Sequence, residues 1–270
     1  MRKRQSISTA FFIYVVFCLF NFWKLNVVLL PGFCESKQLW ETQIDKLSEE
    51  HNLLVLDLPG FGEFSNIDGL HSMNEAAVYV LKCMDDAAME KAVVLGHSMG
   101  GYIALEMLFK APERLLGIGL IHAHAQADSE EKIMNRTRTI KLIKSVGSDS
   151  FLKMFRASLL SNQNLGNMNC VEWVKKIIVN PNPQAIISYS TAMMNRENRL
   201  ECIAHANKPV LFVLGKHDKI IPTKLVLDQA SLIDGAMIHL LTHSGHISQL
   251  EEPEECLTAI MGFLNEVSAV

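Results

Sequence analysis

The chain has 270 residues, of which 49% are hydrophobic, and its formal net charge is −4. A chain of this length and composition can bury a large apolar core within one domain. The charge balance offers no basic surface of the kind that nucleic-acid binding requires, so no nucleic-acid partner is expected. The six cysteines are scattered without a C-x-x-C pair, which indicates reduced thiols rather than a disulfide framework.

Residues 1–23 form an apolar N-terminal segment of ambiguous character. Three basic residues, Arg2, Lys3 and Arg4, precede the unbroken apolar run Ala10–Phe20. Such a run resembles a signal-peptide core, and it is shorter than the roughly 20 residues of a membrane-spanning helix. No small-residue cleavage pattern follows it, and its residues also favour strands. The segment is therefore interpreted either as a signal or anchor or as a peripheral strand. A cytoplasmic location is expected, with a membrane-anchored or exported protein as the alternative.

From residue 26 onward, short apolar runs alternate with helical patterns. The runs predict buried strands at Val27–Leu30, Leu53–Leu56, 92–95, Leu116–Ile121, Val210–Leu214 and Met237–Leu241. Helical periodicity includes Glu41–Leu47, Met73–Met89 and the C-terminal Pro253–Val267. This alternation predicts an α/β fold with a mostly parallel sheet and helices on both faces. Functional sites in such folds lie beyond the carboxyl ends of the strands.

Residues 128–200 interrupt the alternation and contain no convincing strand. Helical patterns occur instead at Glu130–Lys144, Phe151–Leu160, Val171–Val179 and Gln184–Asn195. Long insertions in compact domains are usually functional. Residues 128–200 are therefore predicted to form an inserted α-helical lid, with 24–127 and 201–270 forming the core. The alternative is that these helices only cover the edge of the sheet.

The stretch AVVLGHSMGGYIALEM, residues 92–107, places Ser98 between Gly96 and Gly100 where a strand gives way to a helix. The G-x-S-x-G pattern at such a turn exposes the serine hydroxyl for use as a nucleophile. A serine also needs a base and a third group that orients the base. Asp218 and His246 follow the next two predicted strands of the C-terminal part. The chain order Ser98, Asp218, His246 is the order found in α/β-hydrolases.

Four motifs together make the sequence similar to the α/β-hydrolase family, in its serine-hydrolase branch with a helical lid. They are GHSMGG at 96–101, DLPGFG at 57–62, G-x-x-D at 215–218 and GHISQLEEP at 245–253. The resemblance covers roughly residues 26–267. It implies the α/β-hydrolase fold and no metal or organic cofactor.

The resemblance also implies a role for each residue of the site. Ser98 would attack the substrate, His246 would shuttle the proton and Asp218 would orient the imidazole ring. The amide of Met99 and the amide of Phe33, in the loop after an early strand, would form the oxyanion hole.

Position 31 departs from the family pattern, which usually has His-Gly at the start of the oxyanion loop. The chain has Pro31-Gly32-Phe33 there. Proline lacks an amide hydrogen, but the donor required is the amide of Phe33. The donor therefore survives, while the contacts of the family histidine are lost.

Other histidines in the sequence compete for roles in the site. His122 and His124 have a spacing of two and no supporting carboxylate nearby, which is weak evidence for a metal pair. They are expected to line the substrate pocket below the lid. His243 precedes His246 by three residues, but the Gly-His context favours His246 as the catalytic base.

The serine at this strand-to-helix turn separates the chain from the family members that open epoxides or displace halide, which carry aspartate at that position. Ser98 implies transfer of an acyl group to water. The expected function is a carboxylesterase-like serine esterase acting on a small or medium acyl ester. Two alternatives remain open. One is a carbon–carbon bond or enol-lactone hydrolase, and the other is a ligand-binding, receptor-like protein that retains the triad.

Overall fold

A computed structural model describes residues 14–16 and 24–269. Seven strands form one sheet in these residues: β1 (Tyr14–Val16), β2 (Asn26–Leu30), β3 (Asn52–Val55), β4 (Ala92–His97), β5 (Leu115–Ile121), β6 (Val210–Gly215) and β7 (Met237–Leu241). Their order across the sheet is β1-β3-β2-β4-β5-β6-β7. The six strands β2–β7 run parallel, and only β1 is antiparallel to its neighbour. The predicted mostly parallel sheet is confirmed.

Helices flank this sheet and connect its strands. In the described residues they are α1 (Glu41–Glu50), α2 (Met73–Asp86), α3 (Met99–Lys110), α4 (Glu130–Val146), α5 (Asp149–Leu159), α6 (Met168–Ile177), α7 (Pro183–Met194), α8 (Leu200–Ala204), α9 (Thr223–Ala230), α10 (Ser248–Glu251) and α11 (Pro253–Ser268). Parallel neighbours require such crossovers, because a tight turn can join only antiparallel strands.

The centre of the sheet is the most apolar part of the core. Every residue of β4 is buried, and β2 and β6 are buried over almost their whole length. Strands covered on both faces need continuous apolar runs, which explains why these strands lack an alternating pattern. The parallel register pairs His97 with Ile121 and Ile121 with Val213. The loops after β4, β5, β6 and β7 therefore emerge along one edge of the sheet.

Five helices, α4 to α8, lie between β5 and β6, and the first four are close to the positions that periodicity predicts. A buried carboxylate ties the two ends of this insert together. Asp128 accepts a hydrogen bond from Arg136 Nε at 2.6 Å and another from Arg196 Nη1 at 2.6 Å. Arg136 belongs to α4 and Arg196 follows α7, so one carboxylate holds both ends of the insert.

The edge strand β1 is the described part of the N-terminal segment. It pairs antiparallel with β3, with Val15 opposite Leu54. The rest of residues 1–23 lies outside the described residues, so the interpretation of the segment as a signal, an anchor or a peripheral strand stays a prediction. None of the helices within 24–269 combines the length and apolarity needed to cross a bilayer.

Candidate active site

Ser98 lies at the sharp turn from β4 into α3. Its backbone has φ +50° and ψ −112°, a conformation that costs a non-glycine residue about 1–3 kcal/mol. A Cβ atom on Gly96 would lie 2.3 Å from the carbonyl oxygen of Gly100, so the turn can close only with glycine at position 96. The neighbours His97 and Met99 are buried, whereas Ser98 is partly exposed. The turn therefore presents the serine hydroxyl to solvent.

His246 and Asp218 complete a continuous chain of hydrogen bonds from Ser98. The Ser98 Oγ hydroxyl lies 2.9 Å from His246 Nε2, and His246 Nδ1 lies 2.7 Å from Asp218 Oδ2. The side chains of His246 and Asp218 are 1% and 3% exposed. The structure thus brings together the three residues that the sequence analysis selects as nucleophile, base and orienting acid.

Four donors surround the Asp218 carboxylate. Oδ1 accepts the backbone N–H groups of Ile220 at 2.8 Å and Ile221 at 2.9 Å. Oδ2 faces Nδ1 of both His246 and His122. Burial alone would raise the pKa of Asp218, but the two histidines outweigh it and hold the pKa well below its usual range. Asp218 is therefore ionised throughout the neutral range.

His122 is the second histidine on Asp218, and its tautomer follows from its partners. Its Nε2 lies 3.3 Å from the backbone nitrogen of Ser248, which can only donate, so Nε2 accepts. Nδ1 then carries the hydrogen and donates to Asp218 Oδ2 at 3.2 Å. Burial lowers the pKa of His122 to about 4, so the ring is neutral at pH 7. Its side chain is 0% exposed, and the expectation that His122 lines a substrate pocket stays a prediction.

His124 lies apart from these contacts. Its ring packs edge-on against Tyr102, with 5.4 Å between ring centroids, and Nε2 lies 3.4 Å from Arg196 Nη2. Burial, with a further contribution from Arg196, lowers its pKa to about 3. His122 and His124 share no partner in these contacts. The candidate metal-ligating group of the described residues is instead His122, Asp218 and His246, whose ligand atoms lie within 4.8 Å of one another. All three are engaged in the hydrogen bonds above.

The loop that carries His246 is braced by two glutamates at the end of the GHISQLEEP motif. Glu251 Oε2 accepts the N–H of Gly245 at 2.6 Å, and Glu252 Oε2 accepts the N–H of His243 at 2.9 Å. The side chain of His246 thereby reaches Ser98, while His243 is exposed. The structure joins His246 rather than His243 to the serine.

The two predicted oxyanion donors lie on segments that touch. The first turn of α3, which begins at Met99, packs against the loop after β2, which carries Phe33. A Cβ atom on Gly100 would lie 2.7 Å from the carbonyl oxygens of both Leu30 and Pro31. Such close contact fixes the Phe33 loop relative to the serine turn.

Aromatic rings connect the Phe33 loop with the insert. The Phe33 ring packs edge-on against Phe155 of α5, with 5.7 Å between centroids, and Phe155 stacks on Phe151 at 5.5 Å. Phe61 also packs edge-on against Phe33, with 6.0 Å between ring centroids. Helix α5 therefore lies directly over the loop that would supply an oxyanion donor.

Comparisons with known proteins agree with this architecture. A family model described as alpha/beta hydrolase fold matches residues 26–253. A pimeloyl-[acyl-carrier protein] methyl ester esterase of Aliivibrio fischeri is 25% identical, over 89% of this chain and 94% of that protein. An acetyltransferase component of an acetoin cleaving system from Cupriavidus necator is 24% identical over 85% of this chain, which spans only 61% of its length.

Among solved structures, a thermophilic esterase from Thermogutta terrifontis, described as malate-bound, superposes with a TM-score of 0.85. It is 27% identical in sequence, and the match covers 90% of each chain.

Proposed function

The chain belongs to the alpha/beta hydrolase fold family, and on that premise we propose that it is a serine hydrolase of carboxylic esters with a small or medium acyl group. The observation that carries this proposal is the hydrogen-bond chain from Ser98 through His246 to Asp218, with links of 2.9 and 2.7 Å. Similarity to proteins named as esterases supports ester hydrolysis as the reaction.

In this proposal, His246 Nε2 takes the proton of Ser98 as Oγ attacks the ester carbonyl carbon. Asp218 keeps the hydrogen on His246 Nδ1 and stabilises the imidazolium that forms. The amides of Met99 and Phe33 hold the oxyanion, where one well-placed donor is worth about 3 kcal/mol. The imidazolium protonates the departing alkoxide, which leaves an acyl-enzyme on Ser98. Water then attacks the acyl carbonyl carbon, His246 takes its proton, and collapse returns that proton to Ser98.

The residues around the Phe33 loop bear on the substrate class. Phe33, Phe151 and Phe155 pack on one another, and in this proposal they form an apolar wall beside the serine turn. Such a wall favours esters with an apolar acyl or alcohol group over highly charged ones. Helix α5, which carries two of these rings, is in this proposal the part of the lid that contacts substrate.

The experiment that tests the proposal is a panel of p-nitrophenyl esters from acetate to dodecanoate, run beside an enol-lactone and a β-diketone. We expect the highest kcat/KM on a short or medium ester and no turnover by Ser98→Ala. Faster turnover of the lactone or the diketone would instead favour the enol-lactone or carbon–carbon hydrolase. Binding of esters without turnover would favour a receptor-like protein.

A further inference from the structure

A second buried network, outside the triad, connects the Phe33 loop to the backbone of the triad histidine. The carboxylate of Glu35 is 1% exposed, and its Oε2 accepts the N–H of Gly32 at 2.7 Å. The same oxygen lies 2.8 Å from His97 Nδ1. On the far side of that ring, His97 Nε2 lies 2.7 Å from the carbonyl oxygen of His246.

The hydrogen-bond partners locate the hydrogen on one ring nitrogen of His97. A carbonyl oxygen can only accept, so His97 Nε2 carries a hydrogen. Glu35 Oε2 already accepts the amide of Gly32, and a carboxylate accepts a second hydrogen from Nδ1. Burial lowers the pKa of His97, but Glu35 outweighs burial, and the net shift is upward. Glu35 therefore favours the protonated form of the buried His97 ring.

The network has no room for variation at Gly32. A Cβ atom there would lie 2.6 Å from Glu35 Oε2 and 2.8 Å from His97 Nδ1. The N–H of Glu35 also donates a hydrogen bond to the carbonyl oxygen of Gly32 at 3.3 Å. This bond closes a turn in which Cys34 has φ +64°. Phe33 lies inside this turn. The direction of its amide is therefore set by two hydrogen bonds that both involve Glu35.

We propose that Glu35 and His97 are positioning residues, which hold the amide of Phe33 and the main chain of His246 in a fixed mutual arrangement for catalysis. The inference rests on the proposed function. It also explains how the loop can be held without the family histidine at position 31. Glu35 binds the loop from its buried side, so the loop needs no anchoring side chain at Pro31. His97, the residue between Gly96 and Ser98, then connects Glu35 with the main chain of His246 through its two ring nitrogens.

The test compares Glu35→Ala and Glu35→Gln with wild type in two assays. One measures the rate constant for phosphonylation by a fluorophosphonate, which needs no knowledge of the natural substrate. The other measures kcat and KM on p-nitrophenyl butyrate. A misplaced oxyanion donor acts only in the transition state. Glu35→Ala should therefore lose about 10- to 100-fold in phosphonylation rate and kcat, with KM changed less than about threefold. Glu35→Gln keeps the acceptor oxygen and should lose only about three- to tenfold.

The matched control is Glu106→Gln, which removes the charge of another buried glutamate, paired with Arg199 at 2.9 Å on the far part of α3. It should leave both rates unchanged, and thermal melting should show every compared variant folded. If Glu35→Ala does not fold, the comparison of Glu35→Gln with Glu106→Gln decides. Wild-type rates in the folded Glu35 variants would overturn this inference and leave the proposed function standing. The same would follow if Glu106→Gln lost as much activity as the Glu35 variants. A wild-type protein inert to both reagents would contradict the proposed function, and the inference with it.

Discussion

At Ser98, the backbone conformation that exposes the hydroxyl also costs stability. A residue with a Cβ atom at φ +50° is strained, whereas glycine adopts this angle freely. We therefore expect both Ser98→Ala and Ser98→Gly to abolish turnover, but Ser98→Gly to be more stable than Ser98→Ala by about 1 kcal/mol. Urea denaturation of the two variants measures the difference. An alanine variant as stable as the glycine variant would show that the turn is not strained.

The lowered pKa of His122 predicts that the stability of the protein depends on pH. Its pKa falls from 6.5 to about 4 on folding, so between these values the unfolded chain binds a proton that the native protein does not. The free energy of unfolding therefore decreases as pH falls through this window, by about 3 kcal/mol from this residue. Urea denaturation at intervals from pH 7 to pH 4 measures this slope.

The variant His122→Gln isolates this contribution, because glutamine can still donate to Asp218 and does not titrate. We expect it to flatten the slope between pH 6.5 and 4, while the exposed His71→Gln leaves the slope as in wild type. The opposite result, equal slopes in wild type and His122→Gln, would mean that folding does not lower the pKa of His122.

Pro31 offers a direct comparison with the family pattern. We expect Pro31→His to raise kcat/KM by less than tenfold, because the Phe33 amide is already held through Gly32 and Glu35. Kinetics on the ester that wild type hydrolyses fastest measures the change. A larger gain would mean that the proline leaves the loop seriously misplaced.

Sequence motifs select Ser98, Asp218 and His246, because each stands in a recognisable local pattern after a strand. They do not reveal Glu35 or the contact of His122 with Asp218. The Glu35–His97 contact joins residues 62 apart in the chain, and the His122–Asp218 contact joins residues 96 apart. No local periodicity records such contacts. The only available signal was the position of His122 directly after a predicted strand.

At the scale of elements, strands were predicted well because each is a continuous apolar run. Helix α2 ends at Asp86 rather than Met89, since Ala88 takes φ +54° and cannot continue the helix. The short helices α8 and α10 were not predicted, because four or five residues are too few to show a helical period. Their positions depend on packing against the core.

The N-terminal segment carries a prediction at this scale. Removing residues 1–22 should leave a soluble, active protein, because β1 pairs with a single neighbour over three residue pairs at the edge of the sheet. Soluble yield, melting temperature and activity on p-nitrophenyl esters measure the outcome. Loss of soluble expression would indicate that the segment is a core strand and not a targeting or anchoring segment.

For the molecule as a whole, the parallel sheet is what assembles the site. Ser98, His122 and Asp218 follow β4, β5 and β6, and the parallel registers bring those strand ends to one edge. The insert contacts the Phe33 loop through α5, and Arg196 joins it to the core by packing over the Tyr102 ring of α3. Fold class follows from the order of elements in the sequence. The contact between α5 and the Phe33 loop does not, because it depends on how the insert packs.

The most direct test of the central claim is covalent labelling with a fluorophosphonate followed by intact-mass analysis and peptide mapping. The account predicts one adduct per chain, located on Ser98, absent in Ser98→Ala and formed far more slowly in His246→Gln because the base is lost. An adduct on another residue, or undiminished labelling of Ser98→Ala, would contradict the assignment of Ser98 as the nucleophile.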